Sequence, residues 1–490
     1  MSNHKVLLIN PPRINGISWT REGRCQEKEG ILGTVKPPFS LILIASLLQE
    51  NKVAFRLIDA TALNLNNEEI CNHLIESEFH PNIIVYCTTT ATILADTKSL
   101  STVKSRFNAK LIAFGAHISG IPKETLEKLP IIDVGIIGEP EYVILDILKP
   151  ENSLNLNNVK SIVWRKGGNI YLTNKREVIG DLDRLPKPVW ELLPLEKYVL
   201  PFINEKYLMV ETSRGCPFGC EFCVTPLNHG LKFREKQPPT VVNEIAELKE
   251  RFKVKYFNLF GDTVTFNKKF VAKFCDELIK RNLKIRWFAN TRADTLYDID
   301  LVKKMKDSGC WMLSIGIESF NKETRRNMQK KLETDKIKRA VGLLKEVGIL
   351  SFGFFIYGYP GETERDLYET TKFAISLPLD YANFYPAVPY PGTDFYYKSM
   401  ENGYLYQNLW NKMEYSSYVL KTKDLDEDIV KKAISHAYLR FYFRPRFIYR
   451  HLRNIGLFNF IVGSAKYGLR FLDSKYFCRK QKKHEKCYRN

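Results

Sequence analysis

No stretch of this chain is apolar for long enough to span a bilayer, which takes about 20 residues. The opening MSNHKVLLIN is too short an apolar run for a secretory signal, so a cytoplasmic compartment is expected. Acidic residues are the minority, 55 against 74 Lys and Arg, and leave a net charge of +19. The shortfall is uneven: residues 421–490 hold 18 Lys and Arg against 6 Asp and Glu, so most of the excess lies in the tail. A uniformly basic nucleic-acid binder would look different. No G-x-G-x-x-G follows the first apolar run, which counts against a dinucleotide, and no glycine-rich Lys-Ser/Thr loop offers a triphosphate site. Cysteine is sparse, 10 in 490 residues. In a reducing compartment Cys25, Cys71, Cys87, Cys275, Cys310, Cys478 and Cys487 read as ordinary thiols rather than disulfide partners.

What remains is the make-up of a soluble globular protein, 44% hydrophobic and 26% charged, in a chain longer than one domain usually runs. Two domains and an appendage are expected. The three other cysteines, Cys216, Cys220 and Cys223, lie within YLMVETSRGCPFGCEFCV (207–224), directly after an apolar run. A Cys-x₃-Cys-x₂-Cys loop lets three sulfurs converge, and thiolates suit iron–sulfur clusters or zinc. Structural zinc is normally closed by four ligands, so the zinc alternative would need His229 as the fourth.

With Arg214-Gly215 before the first cysteine and Phe222 before the last, this loop resembles the cluster loop of radical S-adenosylmethionine (SAM) enzymes. The resemblance implies that the cysteines hold three irons of a [4Fe-4S] cluster. The fourth iron would chelate the amino and carboxylate groups of SAM, and one electron would cleave SAM to a 5′-deoxyadenosyl radical.

In residues 1–150, continuous apolar runs at 5–10, 55–60, 82–87, 110–115 and 134–138 read as strands of a parallel sheet buried on both faces, with helical patterns between them. This fits an α/β, doubly wound, flavodoxin- or Rossmann-like domain, which binds ligands beyond the carboxyl ends of its strands. Those ends carry Asn10-Pro11, Asp59, Thr88-Thr89-Thr90, Gly115-Ala116-His117 and Gly138-Glu139-Pro140-Glu141. Their sequence is similar to the cobalamin-binding domain that precedes the SAM barrel in one branch of the family. The resemblance implies cobalamin contacts from Asn10, Pro11, Thr88, Thr89, Gly115, His117, Gly138 and Glu139. Residues 11–39 contain no histidine, so no lower cobalt ligand is expected from the first loop.

Residues 151–204 read as a connector, with a hairpin at 161–173 expected to pack between the domains. Asp181-Leu182-Asp183-Arg184-Leu185-Pro186 resembles the family's usual entry to the barrel. From 205 to 400, six strand-like runs alternate with amphipathic helices; Val242, Ile245, Leu248 and Phe252, for example, fall on one face. A partial (β/α)6 barrel is expected, with active residues at the strand ends. The resemblance places SAM contacts at Phe222 in the cysteine loop, at Gly261 and Asp262 for the amino group, at Arg292, Glu318 and Ser319 for carboxylate and ribose, and at Ile356 and Gly358 beside adenine. Tyr385 and Tyr390 read as packing or substrate-facing residues.

Residues 401–490 form a helical, basic C-terminal extension in which aromatics alternate with arginines. It reads as a cap on the barrel or as a segment lying on an anionic membrane surface, with nucleic acid the least favoured partner. The resemblance as a whole implies a cobalamin-dependent radical SAM enzyme that transfers a methyl group from SAM, by way of cobalamin, to an unactivated centre of a small, lipid-like substrate. It also implies a flavodoxin or ferredoxin as electron donor. Oxidation or cyclisation without methyl transfer is the alternative within enzymes, and a zinc-stabilised RNA-binding protein the alternative from another class.

Overall fold

The computed structural model describes residues 4–22, 35–152, 155–200, 203–405, 410–445 and 447–448. Two mixed α/β layers build it. The first is a seven-stranded sheet of β1 (Lys5–Asn10), β2 (Ala54–Asp59), β3 (Ile83–Cys87), β4 (Lys110–Phe114), β5 (Val134–Ile136), β6 (Ile162–Lys166) and β7 (Asn169–Leu172), in spatial order 2-1-3-4-5-6-7. The first five strands are parallel and, at β1, β3 and β4, buried on both faces. That is why their apolar runs are unbroken rather than alternating. The hairpin expected between the domains instead continues this sheet: Val134, Gly135 and Ile136 of β5 pair antiparallel with Trp164, Val163 and Ile162.

The chain then runs through 3-10 turns, which bury Trp190 and Tyr198, into the second sheet. This sheet contains β8 (Tyr207–Glu211), joined by a short ladder of β9 (Ser213–Arg214) and β10 (Arg234–Glu235). Its remaining strands are β11 (Tyr256–Phe260), β12 (Arg286–Thr291), β13 (Cys310–Glu318), β14 (Leu350–Tyr357) and β15 (Tyr381–Pro386). The six long strands are all parallel, in the order 15-14-13-12-11-8, with helices on the convex side. The sheet stops at six strands because its last edge is covered. From the helix Glu427–Tyr442, the Tyr442 hydroxyl accepts from Ala382 N (3.1 Å) and donates to Ala382 O (2.7 Å), and the Tyr438 hydroxyl accepts from Phe384 N (3.2 Å). An edge strand that keeps unpaired N–H and C=O groups invites further strands, and these tyrosines occupy them.

Of the aromatics here, Phe441 in this helix and Phe447 beyond it are buried, Phe441 against Phe384 of the barrel, and Phe443 is exposed. Residues 449–490, where the rest of the basic segment lies, are outside the described residues, as are Cys25, Cys478 and Cys487. Among the described residues, no helix is long and apolar enough to cross a membrane.

Candidate active site

The cysteine loop leaves the carboxyl end of β8 through two left-handed glycines. Gly215 has φ +80°, and a Cβ there would lie 2.2 Å from Lys232 O; Gly219 has φ +58°. Only glycine fits the first of these turns without displacing backbone. The loop is pinned from behind by Glu221, which stands between Cys220 and Phe222. Its carboxylate accepts from Gln329 Nε2 (2.9 Å), Lys398 Nζ (2.5 Å) and the Tyr359 hydroxyl (3.1 Å), while its N–H donates to Met328 O (3.1 Å). Phe222 packs, half-buried, on the core. Cys216, Cys220 and Cys223 are partly exposed, whereas Cys71, Cys87, Cys275 and Cys310 are buried, so the loop thiols are the accessible ones among the described residues. Burial pushes the Cys220 thiol up, and the Lys330 and Arg292 cations oppose it.

Asp262 braces the front of the loop. It accepts from Gly215 N (2.9 Å), the Thr225 hydroxyl (2.9 Å) and His229 Nδ1 (3.0 Å). Burial works against a charge on His229, but Asp262 more than offsets it and raises the imidazole above its usual value. Among the described residues, no three His, Cys, Asp or Glu side chains converge on the position of one metal ion. His229 uses only its Nδ1 for Asp262. Beside it, Gly261 lies so close to Ser213 that a Cβ would come 2.5 Å from the hydroxyl, and that hydroxyl is buried without a hydrogen-bond partner. Arg292 reaches from β12 with Nη1 3.8 Å from Cys220 Sγ, is held by Asp294 (2.9 Å), and lies 3.7 Å over the Phe218 ring.

Glu318 has φ +70° at a register shift in β13 and pairs with Lys330 (2.7 Å). Ser319 points elsewhere: fully buried, it donates to Glu362 (2.7 Å). Glu362 also accepts from Gly358 N (3.0 Å) and Tyr359 N (3.1 Å), and Gly358 O accepts from the Tyr418 hydroxyl (2.8 Å). Ile356 remains half-buried on the strand above them. The sequence reading missed Lys330, Glu221 and Glu362. Lys330 sits in a plain Gln-Lys-Lys run, and the other two draw their partners from distant segments.

The strand ends of the first sheet are brought to this loop. Gly138 faces the helix Thr225–His229, where a Cβ on it would lie 3.5 Å from Asn228 O. Glu139, expected as a cobalamin contact, is bonded by Arg234 (2.8 Å); Arg214 pairs with Glu141 (2.6 Å) and Glu211 (2.7 Å). All five side chains are at most 5% exposed. Asn10 and Thr88 are also engaged internally: Arg21 and Asp96 form a buried pair (2.6 Å), Thr88 donates to Asp96 (3.0 Å), and Asn10 donates to Asp59 (2.8 Å). Pro11 O accepts from Thr61 (2.6 Å), and Thr89 is bonded to Thr92 (3.0 Å). Gly115 has φ +122°, with Thr88 O 2.3 Å from where a Cβ would lie. His117 is fully buried, edge-on to Trp410 (4.4 Å), and burial depresses its pKa to about 3. Its Nε2, with Trp19 Nε1, Asn228 Oδ1 and Glu141 Oε2, has no hydrogen-bond partner. Such orphaned polar atoms cost about 1–3 kcal/mol each unless a ligand or water meets them, so the seam between sheet and loop fits a polar ligand.

Residues 210–374 match the model of the radical SAM superfamily. An uncharacterized methyltransferase of Pyrococcus horikoshii is 29% identical over 91% of this chain and 94% of its own length. The anaerobic magnesium-protoporphyrin IX monomethyl ester cyclase of Cereibacter sphaeroides is 27% identical over 87% of this chain and 70% of its own. Among solved structures, the radical SAM methyltransferase TsrM of Kitasatospora setae, with cobalamin and a [4Fe-4S] cluster bound, superposes with a TM-score of 0.66 at 14% identity over 82% of this chain and 75% of that one. The cobalamin-dependent SAM radical enzyme OxsB gives 0.71 at 16% identity over 95% and 72%. The chain is thus an enzyme with a radical SAM domain, in the fold that these cobalamin-dependent radical SAM enzymes share.

Proposed function

We propose that the protein is a cobalamin-dependent radical SAM methyltransferase acting on a weakly activated centre of a small, largely apolar molecule. One arrangement carries the reading: the strand ends of a doubly wound domain are locked onto a Cys-x₃-Cys-x₂-Cys loop by Arg214 and Arg234 against Glu139, Glu141 and Glu211. Bound there, a [4Fe-4S] cluster supplies an electron to cleave SAM, and cobalamin supplies a cobalt that carries a methyl group.

Cys216, Cys220 and Cys223 would hold the cluster. Arg292, poised beside Cys220, offers its guanidinium edge to a carboxylate, and the Ser213 hydroxyl and Gly261 backbone offer contacts next to it. Asp262, which already accepts from Gly215, Thr225 and His229, keeps the loop in place more than it reaches outward. Ser319 and Glu362 hold the Gly358 turn, where β14 ends. Gly115 and Gly138 keep the first sheet's strand ends low, and the unpartnered polar atoms along the seam are placed to meet cobalamin amides. His117, enclosed by Trp410, is not presented as a cobalt ligand. An external low-potential reductant is required.

A second reading, cobalamin-dependent oxidation or cyclisation, is favoured by the similarity to the cyclase. Anaerobic incubation with methyl-labelled SAM separates the two: label in the product supports methyl transfer, and an oxidised, unlabelled product supports the second reading. Electron paramagnetic resonance of the chain loaded with cob(II)alamin should show no nitrogen splitting from the protein. Failure to bind cobalamin would defeat both readings. Attachment of residues 437–471 to an anionic membrane stays a proposal resting on the charge of this part of the chain and on exposed Phe443, to be tested by liposome sedimentation at low and high salt.

A further inference from the structure

The concave face of the second sheet carries rings that the reaction centre does not use. Strand alternation sorts the side chains. Trp287 packs on Phe274 and donates to Ser308, Tyr357 meets Thr371, and Phe384 packs on Phe441, so these residues face the helices. Their neighbours face inward: Tyr256, Phe288, Trp311, Phe352, Phe354 and Tyr381, all half-buried. A register shift at Trp287/Phe288 is what brings Trp311 to this side.

The rings form two groups. On β11–β13, Trp311 meets Tyr256 and Phe288 edge-on, each at 5.9 Å. On β14–β15, Phe352 lies 5.0 Å from Phe354 and 6.0 Å from Tyr381. Between them, along β13, the inner side chains shrink from Met312 to Ser314, leaving a trough that the Glu318–Lys330 pair closes over Gly316. The polar groups on this face, Asn258, Asn290, Ser314 and Asn383, are neutral. Charge is confined to the ends, with Arg286 at the far one and Glu318–Lys330 at the near one. The near end touches the reaction centre. Gly316 pairs with Phe354, a Cβ on Gly316 would lie 2.4 Å from Glu318 Oε1 and 2.7 Å from Lys330 Nζ, and Lys330 O accepts from Arg292 Nη2 (2.9 Å), whose Nη1 lies 3.8 Å from Cys220 Sγ.

We infer that this trough binds the body of the substrate, and that the substrate is an uncharged molecule with a planar, unsaturated ring system. The inference rests on the function proposed above. Ring faces and edges on both sides favour a flat π-system over a saturated one of equal volume. A charged body would lose hydration with no counter-charge to replace it.

The test uses the full chain reconstituted anaerobically and three probes: pyrene, its saturated perhydro form and pyrene tetrasulfonate. Pyrene should bind saturably and accept excitation from tryptophan, with most of that transfer lost in Trp311→Phe. The other two probes should bind about tenfold more weakly or worse. Phe354→Ala should weaken pyrene about tenfold and Phe354→Leu less, with iron content and near-ultraviolet dichroism checking that both variants fold. Absent saturable binding, equal binding of the sulfonate, or unchanged affinity in Phe354→Ala would overturn the inference. A chain that cleaves SAM but takes up no pyrene would sink this inference alone. One that binds pyrene but takes up no iron would sink the proposed function, and with it the naming of the ligand as substrate.

Discussion

Replacing Arg214 by Met should loosen the cysteine loop and the first sheet together. The guanidinium lies 2.6 Å from Glu141 and 2.7 Å from Glu211, with Glu139 at 3.6 Å, and none of these side chains is more than 5% exposed. Burial works against the Arg214 charge, but the three carboxylates more than offset it, so it stays ionised. Removing one partner of a buried pair costs about 3–5 kcal/mol, because an uncompensated charge is left behind. Here Glu139 keeps Arg234 at 2.8 Å and Glu211 keeps the field of Lys236, so most of the loss falls on Glu141. A value near the lower bound, about 3 kcal/mol, is expected at pH 7.5.

Urea unfolding of the apo chain, followed by far-ultraviolet dichroism, measures it. The pH dependence has a definite sign. Burial raises the Glu211 carboxyl, but Arg214 and Lys236 outweigh it and hold the pKa below the ordinary range, so this stabilisation is present above the unfolded value and is lost as pH falls. The gap between wild type and variant should therefore narrow toward pH 4. Adding Glu141→Met to Arg214→Met should recover at least half of the loss. A gap under about 1 kcal/mol at pH 7.5, the range of exposed pairs, or one that does not narrow in acid, would refute this account of the network.

Glu362 predicts the opposite trend. Burial pushes its carboxyl up from 4.5 to about 7, with Ser319, Gly358 and Tyr359 working against the rise. Its contribution is complete below the unfolded pKa and fades as pH rises through 7, a change of about 3 kcal/mol; Glu362→Gln should flatten the stability profile between pH 5 and 8, and an unchanged slope would contradict it. Gly358→Ala should destabilise by about 1–3 kcal/mol, because φ is +83° and the new methyl would lie 2.7 Å from Tyr418 Cε2; chemical denaturation decides this. Tyr442→Phe removes both bonds to Ala382 and should speed hydrogen exchange at Ala382 without unfolding the sheet; unchanged exchange would show that the hydroxyl does not protect the edge.

Strands buried on both faces could be read directly, since every residue of Ile83–Cys87 is buried and the run is apolar throughout. The placement of the 162–172 hairpin could not. Its second strand exposes Tyr171 and Leu172, and it joins the sheet through backbone pairing by β6, which carries no side-chain signature. The cysteine spacing announced the loop because three thiols at short intervals have few structural uses. The parts that hold the loop were hidden for the converse reason: Glu221 finds Tyr359 and Lys398, 138 and 177 residues away, and Lys330 finds Glu318 from 12 residues on, beyond the end of β13. The pairing of Glu139 was hidden because a carboxylate at a strand end looks the same whether it meets a ligand or an arginine from another domain. Phe441 and Phe447 were ambiguous in the same way, since aromatics among arginines suit a barrel edge as well as a membrane.

The central claim rests on the three loop cysteines, and the most direct measurement is iron content together with 5′-deoxyadenosine formation after anaerobic reconstitution with SAM and a low-potential reductant. Each of Cys216→Ala, Cys220→Ala and Cys223→Ala should lose the iron–sulfur absorbance and SAM cleavage, because an iron is left without its protein thiolate, whereas Cys275→Ala and Cys310→Ala, in buried positions away from the loop, should retain both. A loop variant that kept a full complement of iron and wild-type 5′-deoxyadenosine production would contradict the account.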